Sequence, residues 1–358
     1  MNTTEIINKE QYMRDDIIQL LSIKNKEEIE LLRTKAESLL LNLRGNKVYF
    51  RGLVEFSNIC ISDCYYCGIR KGNEAVKRYM LTKDQIVDGA VWCAGQGYGS
   101  VVLQSGERND PAFVTFIEDV VYAIKEKTVS DILPEGIGIT LCVGEQTEKT
   151  YQTWYNAGAH RYLLRIETTN PQLFSQIHPP AQSLENRIKC LKTLKKIGYK
   201  VGTGVMIGIP DQTIENLADD ILFFRALDVD MIGMGPYIVH AQTPMSGYTE
   251  ETKSKFEDIF SLSLKMIAVT RLVLKDVNIA ATTALQAMKH DGREQGLTYG
   301  ANVIMPQLTP TEVRTEYQLY EGKPCMDENA EQCRNCLTGR ISSVGRVVGY
   351  NEWGDRKS

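Results

Sequence analysis

Histidine is scarce in this chain: there are four among 358 residues, and none of His160, His178, His240 and His290 stands at a metal-ligand spacing from another. An imidazole-built metal centre is therefore set aside, and these side chains are expected to be surface or ordinary hydrogen-bonding groups. No apolar run approaches the roughly 20 residues that a membrane-spanning helix requires. Positive charge is not in excess either. A formal net charge of −4 provides no general attraction to nucleic acid or anionic lipid. The first ten residues mix both charge signs and lack the apolar stretch of a secretory signal, so a cytoplasmic protein without membrane or nucleic-acid partners is expected. Internal repeats, low-complexity tracts and Pro/Ser-rich linkers are missing as well, which leaves no boundary inside one large central unit.

Cysteine, by contrast, is present in an odd number, nine, and unevenly spread. Two tight clusters and three isolated members (Cys93, Cys142 and Cys190) suggest metal ligation more than disulfides in a chain without a secretory signal. The isolated three fall in helical or strand patterns and are expected to be small buried residues.

Residues 1–44 are dense in Leu, Ile, Glu and Lys at helical spacing and form an expected helical N-terminal extension. From Val48 onward, short β-branched or Gly-containing runs alternate with helix-length amphipathic segments, the pattern of parallel strands joined by crossover helices. Strands are expected at 48–56, 100–105, 137–143, 161–167, 201–207, 230–236, 278–283 and 301–305. Eight such strands predict an α/β fold, a closed (β/α)8 TIM barrel over residues 45–310. Thr82-Lys-Asp-Gln85 reads as a capping box, and Asp110-Pro111 and Asn170-Pro171 as capped helix starts. Residues 311–358 are expected to form an irregular C-terminal segment ending in a charged, mobile stretch.

Cys60-Ile-Ser-Asp-Cys64-Tyr-Tyr-Cys67 lies just past the first strand, at the end where barrel active sites are built. Three thiolates at spacings of four and three can wrap one iron–sulfur cubane and leave its fourth iron open. A zinc site would want a fourth ligand, and no Cys or His follows nearby. Alternation along the fourth strand sends Tyr162, Leu164 and Ile166 under the outer helices and Arg165 and Glu167 into the barrel; the first strand does the same with Arg51 and Glu55. Buried charges of this kind are either internal Arg–Glu pairs or ligand contacts. Gln104-Ser-Gly-Glu107 and Cys142-Val-Gly-Glu145 end two neighbouring strands, and Gly202, Gly204, Met206 and Gly208 share one face of the fifth. Glycines there leave room or mark bulges.

Taken with Tyr66 directly before the last cysteine, this loop resembles the signature of the radical S-adenosylmethionine (SAM) superfamily. The whole set, Ser105-Gly-Glu107, Arg165-Ile-Glu-Thr168, Gly204-Val-Met-Ile-Gly208, Glu185-Asn-Arg187, Ala281-Thr-Thr283 and Ala301-Asn-Val-Ile-Met-Pro306, resembles the biotin-synthase-like branch and, within it, the FeFe-hydrogenase maturases of the HydE family. That resemblance implies an enzyme with a 4Fe–4S cluster on Cys60, Cys64 and Cys67 that reductively cleaves SAM to methionine and a 5′-deoxyadenosyl radical. It implies cofactor contacts from Tyr66, Ser105, Gly106, Glu107, Glu167, Arg187, Gly204 and Gly208. Among these, Glu107 with its two neighbours takes the SAM amino group, Arg187 the SAM carboxylate, and Gly204 and Gly208 run beside the adenine.

For the substrate pocket it implies Arg51, Thr140, Arg165, Thr282, Thr283 and Tyr317. It further implies a small-molecule or organometallic substrate, an iron–carbonyl–cyanide–cysteine complex made by the tyrosine-cleaving maturase HydG, and a product that goes toward the scaffold HydF. An external electron donor is implied too. Cys325, Cys333 and Cys336 match an accessory site for a second iron–sulfur cluster found in some members.

Two rival readings accompany this one. Methylornithine synthase and biotin synthase share the barrel and much of the motif set; biotin synthase needs several inward cysteines on interior strands, where this chain offers only Cys142. A non-catalytic iron–sulfur carrier would not need Glu107, Glu167 and Arg187.

Overall fold

The structure, a computed structural model, describes residues 2–356. Among them nine parallel strands form the sheet, eight in the barrel path, β1 Lys47–Ser57, β2 Ser100–Ser105, β3 Gly138–Cys142, β4 Arg161–Leu163, β5 Lys200–Thr203, β6 Met231–Ile232, β7 Asn278–Ile279 and β8 Val303–Ile304, and a ninth, Val347–Val348, paired with the start of β1. Each barrel strand pairs with the next in parallel register, as in Arg51 with Ser100, Thr140 with Arg161 and Tyr162 with Val201. Tyr49 pairs with Val303, and a bridge from Ala280 to Val303 joins the last two strands, so the sheet closes on itself. The expected (β/α)8 barrel is observed. Closure disposes of the two open edges that a flat parallel sheet would leave unpaired.

All eight strand positions were anticipated, but the second half of the barrel is more broken than the sequence pattern suggests. β4 stops at Leu163, and the backbone of Glu167 then turns into the left-handed region (φ +64°). β5 stops at Thr203, and Met206–Ile207 pairs separately with Gly235–Pro236. Thr283 begins a helix, Thr283–Met288, and is not the end of a strand. These breaks re-aim the strand ends toward the barrel mouth.

The alternation argument holds. Tyr162 and Ile166 are fully buried beneath the outer helices, joined by Val101, Leu103, Ile139, Leu141 and Val201 in one continuous apolar core. At roughly 1.5–3 kcal/mol for each large side chain removed from water, this layer dominates the stabilisation. The three helix-start signals are observed as read: Thr82 and Gln85 cap one another, Asp110 caps Pro111–Thr128, and Asn170 caps Pro171–Ile177.

The N-terminal extension folds as α1 Thr3–Ile7, α2 Arg14–Leu21 and α3 Lys26–Arg44. It is tied to the barrel's outer helices: the Lys265 ammonium donates to the Ile23 carbonyl at 2.9 Å, satisfying a carbonyl just past the C-terminal end of α2.

The C-terminal segment, expected to be irregular, opens with a short helix, Thr311–Arg314, runs through turns to 329, and then forms a second helix, Ala330–Ser343. The stretch before residue 357, expected to be mobile, is held in place. Trp353 stacks on His160 with ring centroids 4.3 Å apart and donates its indole N–H to the Gly136 carbonyl at 3.0 Å. Asp355 pairs with Arg161 at 2.6 Å, sealing the lower end of the barrel. A pairing between residues so far apart in the chain leaves no local signature.

Candidate active site

The strand C-termini converge on the cysteine loop. Gly106 closes the approach: a Cβ there would stand 2.5 Å from the Ile59 carbonyl oxygen and 2.8 Å from the Cys60 Cβ, so only glycine lets β2 end against the loop. The Glu107 amide then donates to the Cys60 sulfur at 3.3 Å, and the Ile61 amide donates back to the Glu107 carbonyl at 2.9 Å.

From Cys64 a hydrogen-bonded line runs through the candidate residues. The Cys64 thiol donates to Gln182 Oε1 (3.2 Å), Gln182 Nε2 to Ser62 Oγ (2.9 Å), and Ser62 Oγ to Glu107 Oε1 (3.0 Å). Glu107 Oε2 accepts the Glu145 amide at 2.9 Å. Glu145 in turn pairs with Arg187, whose guanidinium also donates to the Arg165 carbonyl. Arg165 then reaches Glu167 at 2.9 Å. Arg165 and Glu167 thus form the internal pair that alternation offered. On β1 the expected pairing differs: Glu55 is held by Lys323 at 2.6 Å to both oxygens and by Gln307 at 2.7 Å, not by Arg51.

The donor set suits a cluster. Burial pushes all three thiols up, Cys64 to about 12 and Cys67 well above the usual range, and each thiolate would further raise its neighbours. Thiols so placed do not lose their protons unaided; iron must replace the protons and supply the compensating charge. Burial likewise raises the Glu107 carboxyl, against the pull of the Glu145 amide and Arg187. A group with an ammonium to offer is what this carboxylate lacks.

Tyr66 packs edge-on to His178 with ring centroids 5.5 Å apart, and with Tyr65 it lies against Met206, Tyr237 and Met245. His178 is itself buried, donates to the Phe174 carbonyl at 3.0 Å, and is driven down to about 3 by burial beside Arg187. It is an ordinary hydrogen-bonding residue, in a core and not at the surface. Gly204 and Gly208 owe their identity first to packing: a Cβ on Gly204 would lie 2.0 Å from the Gly233 carbonyl, and Gly208 has φ +87° against Ile259. Met206, on the same expected face, packs with Ile177, Ile209, Tyr237 and Met245.

The six candidate substrate residues divide into two groups. Arg165, Thr282, Thr283 and Tyr317 lie toward the mouth; Tyr317 accepts from Gln104 at 3.2 Å, and Tyr320 donates to Thr283 at 2.8 Å. Arg51 and Thr140 sit lower, lining a cavity of about 10 Å³ with Arg161, Asp230 and Asp355. That volume is near one water molecule. Arg51 Nε and Thr140 Oγ1 have no partner among the described residues, and Thr282 Oγ1 has none either.

At the C-terminal cysteines, the sulfurs of Cys325 and Cys333 and the Glu328 carboxylate lie within 4.8 Å of one another. Cys336 follows Cys333 by one helical turn, near Arg340. Arg293, 2 % exposed, faces the Cys325–Cys333 pair with Nε and Nη1 unpartnered. A guanidinium left bare beside two thiols suits an anionic thiolate-bound centre. Of the isolated cysteines, Cys93 and Cys190 are buried as expected, while Cys142 is partly open toward Arg165 and Glu167.

Sequence reasoning did not assign Gln182, Ser62 or Lys323, and it noted Glu145 without its partner Arg187. Only Glu145 had a signal, a carboxylate after a strand-end glycine.

The family model of the radical SAM superfamily matches residues 54–224. The FeFe hydrogenase maturase subunit HydE of Thermotoga maritima is 42% identical over 354 residues, spanning 99% of this chain and 96% of its own. The 3-methylornithine synthase of Methanosarcina barkeri is 28% identical, over 86% and 82% of the two chains. Among solved structures, methylornithine synthase superposes with a TM-score of 0.80 at 24% identity, covering 98% of each chain. The maturase HydG of Carboxydothermus hydrogenoformans superposes at 0.79 and 18% identity, covering 97% of this chain and 79% of its own. These two likenesses establish the fold alone.

Proposed function

The chain belongs to the radical SAM superfamily and, within it, to the HydE family of FeFe-hydrogenase maturases, and from that premise we propose the role of each residue at the barrel mouth. A 4Fe–4S cluster and SAM are the family's working parts. Cys60, Cys64 and Cys67 hold the cluster. A bound, reduced cluster would supply there the electron for cleavage of SAM to methionine and a 5′-deoxyadenosyl radical.

The chain's own residues bind and orient. Glu107 accepts from the SAM ammonium with Ser105 and Gly106 shaping the approach, Arg187 faces the SAM carboxylate, and Glu167 the ribose or methionyl part. Tyr66 walls the cofactor site, and the backbone at Gly204 and Gly208 runs beside the base. Arg165, Thr282, Thr283 and Tyr317 receive the substrate at the mouth, and Arg51 with Thr140 offers a cation and a free hydroxyl below it. Two guanidiniums with several hydroxyls suit an anionic, cyanide- or carboxylate-bearing molecule, and the expected substrate is the iron–carbonyl–cyanide–cysteine complex released by HydG. These residues would hold the sulfur of that complex toward the site where the radical forms, and the product would be passed toward HydF.

Residues 45–310 act as the catalytic unit, with 1–44 and 311–358 as extensions that brace it. Cys325, Cys333 and Cys336 hold an accessory iron–sulfur cluster dispensable for SAM cleavage. The protein works in the cytoplasm with a separate electron donor; no described helix is long and apolar enough to cross a membrane.

One observation carries this reading: identity of 42% across nearly the whole chain with a HydE, joined to an unbroken line of contacts from Cys64 to Glu167. Anaerobic turnover with SAM, reductant and the HydG product tests it. Consumption of that complex together with 5′-deoxyadenosine release is expected. Release of 5′-deoxyadenosine with the complex untouched removes the specific substrate, and release of none removes the activity.

A further inference from the structure

The line Cys64–Gln182–Ser62–Glu107 takes its direction from one proton. The thiol hydrogen of Cys64 goes to Gln182 Oε1, so the amide must present Nε2 to Ser62, and Ser62 must spend its own hydrogen on Glu107. A sulfur bound to iron has no hydrogen to give and can only accept. The Gln182 carbonyl oxygen, 3.2 Å from that sulfur, would then face a second electron-rich atom. A half-turn of the terminal amide removes the conflict, because its oxygen and nitrogen are nearly the same size and exchange places without other movement.

After the turn Nε2–H points at the sulfur and Oε1 points at Ser62. Ser62 has one hydrogen and two acceptors, Gln182 Oε1 and Glu107 Oε1. An ammonium arriving at Glu107 takes over there, and the serine hydroxyl turns to Gln182 with no hydrogen bond lost.

We propose that Gln182 is a positioning residue that donates an N–H···S hydrogen bond to the iron-bound sulfur of Cys64 and, through Ser62, opens Glu107 Oε1 to the ammonium of SAM. This rests on Glu107 being the ammonium partner. It has two consequences. The cluster must be in place before Glu107 is fully available, so loading precedes tight SAM binding. A hydrogen bond to a cluster sulfur stabilises the more negative, reduced state, so Gln182 raises the cluster's reduction potential.

The test uses the anaerobically reconstituted full chain and two substitutions, Gln182→Leu and Gln182→Glu, neither of which supplies the N–H. In both, the midpoint potential of the cluster without SAM is expected to fall, and the dissociation constant for SAM on the oxidised, loaded protein to rise about tenfold. Potentials equal to that of the unsubstituted protein, or SAM affinities within twofold of it, overturn the proposal. So does a Gln182→Glu chain that keeps both values while Gln182→Leu loses them, since side-chain volume and not donation would then be the cause.

A measurement on the unsubstituted chain covers the case in which neither variant holds iron. With glutamine side chains labelled with nitrogen-15, pulsed electron paramagnetic resonance of the reduced cluster should show a nitrogen coupling, and its absence overturns the proposal. Failure of the unsubstituted chain to bind SAM or yield 5′-deoxyadenosine would instead count against the functional reading.

Discussion

The Glu55–Lys323 pair gives a sharp energetic prediction. Glu55 is 2 % exposed and the Lys323 side chain 6 %, with the ammonium 2.6 Å from each carboxylate oxygen. Lys323 also donates to the Tyr317 carbonyl at 3.0 Å and lies 5.3 Å from the centre of that ring, so it fixes the segment that carries Tyr317 over the barrel mouth. Replacing it with methionine keeps most of the volume and leaves Glu55 buried with Gln307 as its remaining side-chain partner. Removing one member of a buried pair costs about 3–5 kcal/mol, a large part of a typical total of about 5–15.

Lys323→Met should therefore lower the apparent unfolding free energy of the cluster-free protein in urea by that amount near neutral pH. Glu55→Gln combined with Lys323→Met removes the stranded charge and should recover more than half of the loss, because the neutral amide can still bond Gln307. A Lys323→Met loss below about 1 kcal/mol, or a double variant no more stable than the single one, would refute the view that the charge itself is what Lys323 neutralises.

Four other outcomes follow from the same contacts. Gly106→Ala should displace the cysteine loop and leave a folded protein by circular dichroism that retains less than about half the iron per chain, since a Cβ cannot coexist with the Ile59 carbonyl. Cys64→Ala should abolish 5′-deoxyadenosine formation, while Cys333→Ala should leave it measurable. Asp355→Ala leaves Arg161 and Arg51 facing one another under the barrel and should cost about 3 kcal/mol in urea unfolding.

Asp220 accepts from the Thr169 amide and hydroxyl, at 2.7 and 2.6 Å, and burial raises it to about 7. Its folded-state value lies above the unfolded one, so its contribution is complete in acid and is lost as pH rises through about 7. Asp220→Asn should therefore gain stability relative to the unsubstituted protein in moving from about pH 5 to about pH 8, as measured by urea unfolding at both.

Much of the barrel was legible because its signals are local. Thr82, Asp110 and Asn170 announce their helices within four residues, and the alternation Tyr162–Leu163–Leu164–Arg165–Ile166–Glu167 states which side chains face in. The loop of Cys60, Cys64 and Cys67 is equally compact. What the pattern could not carry is pairing across the chain. Glu55 finds Lys323 and Arg161 finds Asp355 only after closure of the barrel brings them together. Strand ends beyond 163 and 203 bend because Glu167 takes a left-handed backbone and Gly204 lies against Gly233, and neither is visible as a change of period. Gln182 escaped for a simpler reason: an isolated glutamine in a loop resembles any other until its amide is seen between a cysteine and a serine.

The central claim is that three sulfurs at the barrel mouth hold a cluster that works on SAM. Anaerobic purification and reconstitution, followed by iron and sulfide analysis and reduction in the presence of SAM, tests it most directly. The expected material is brown, holds at least about four irons and four sulfides per chain, and releases 5′-deoxyadenosine on reduction. Colourless protein containing zinc, or a full cluster that leaves SAM intact under strong reductant, would contradict the account.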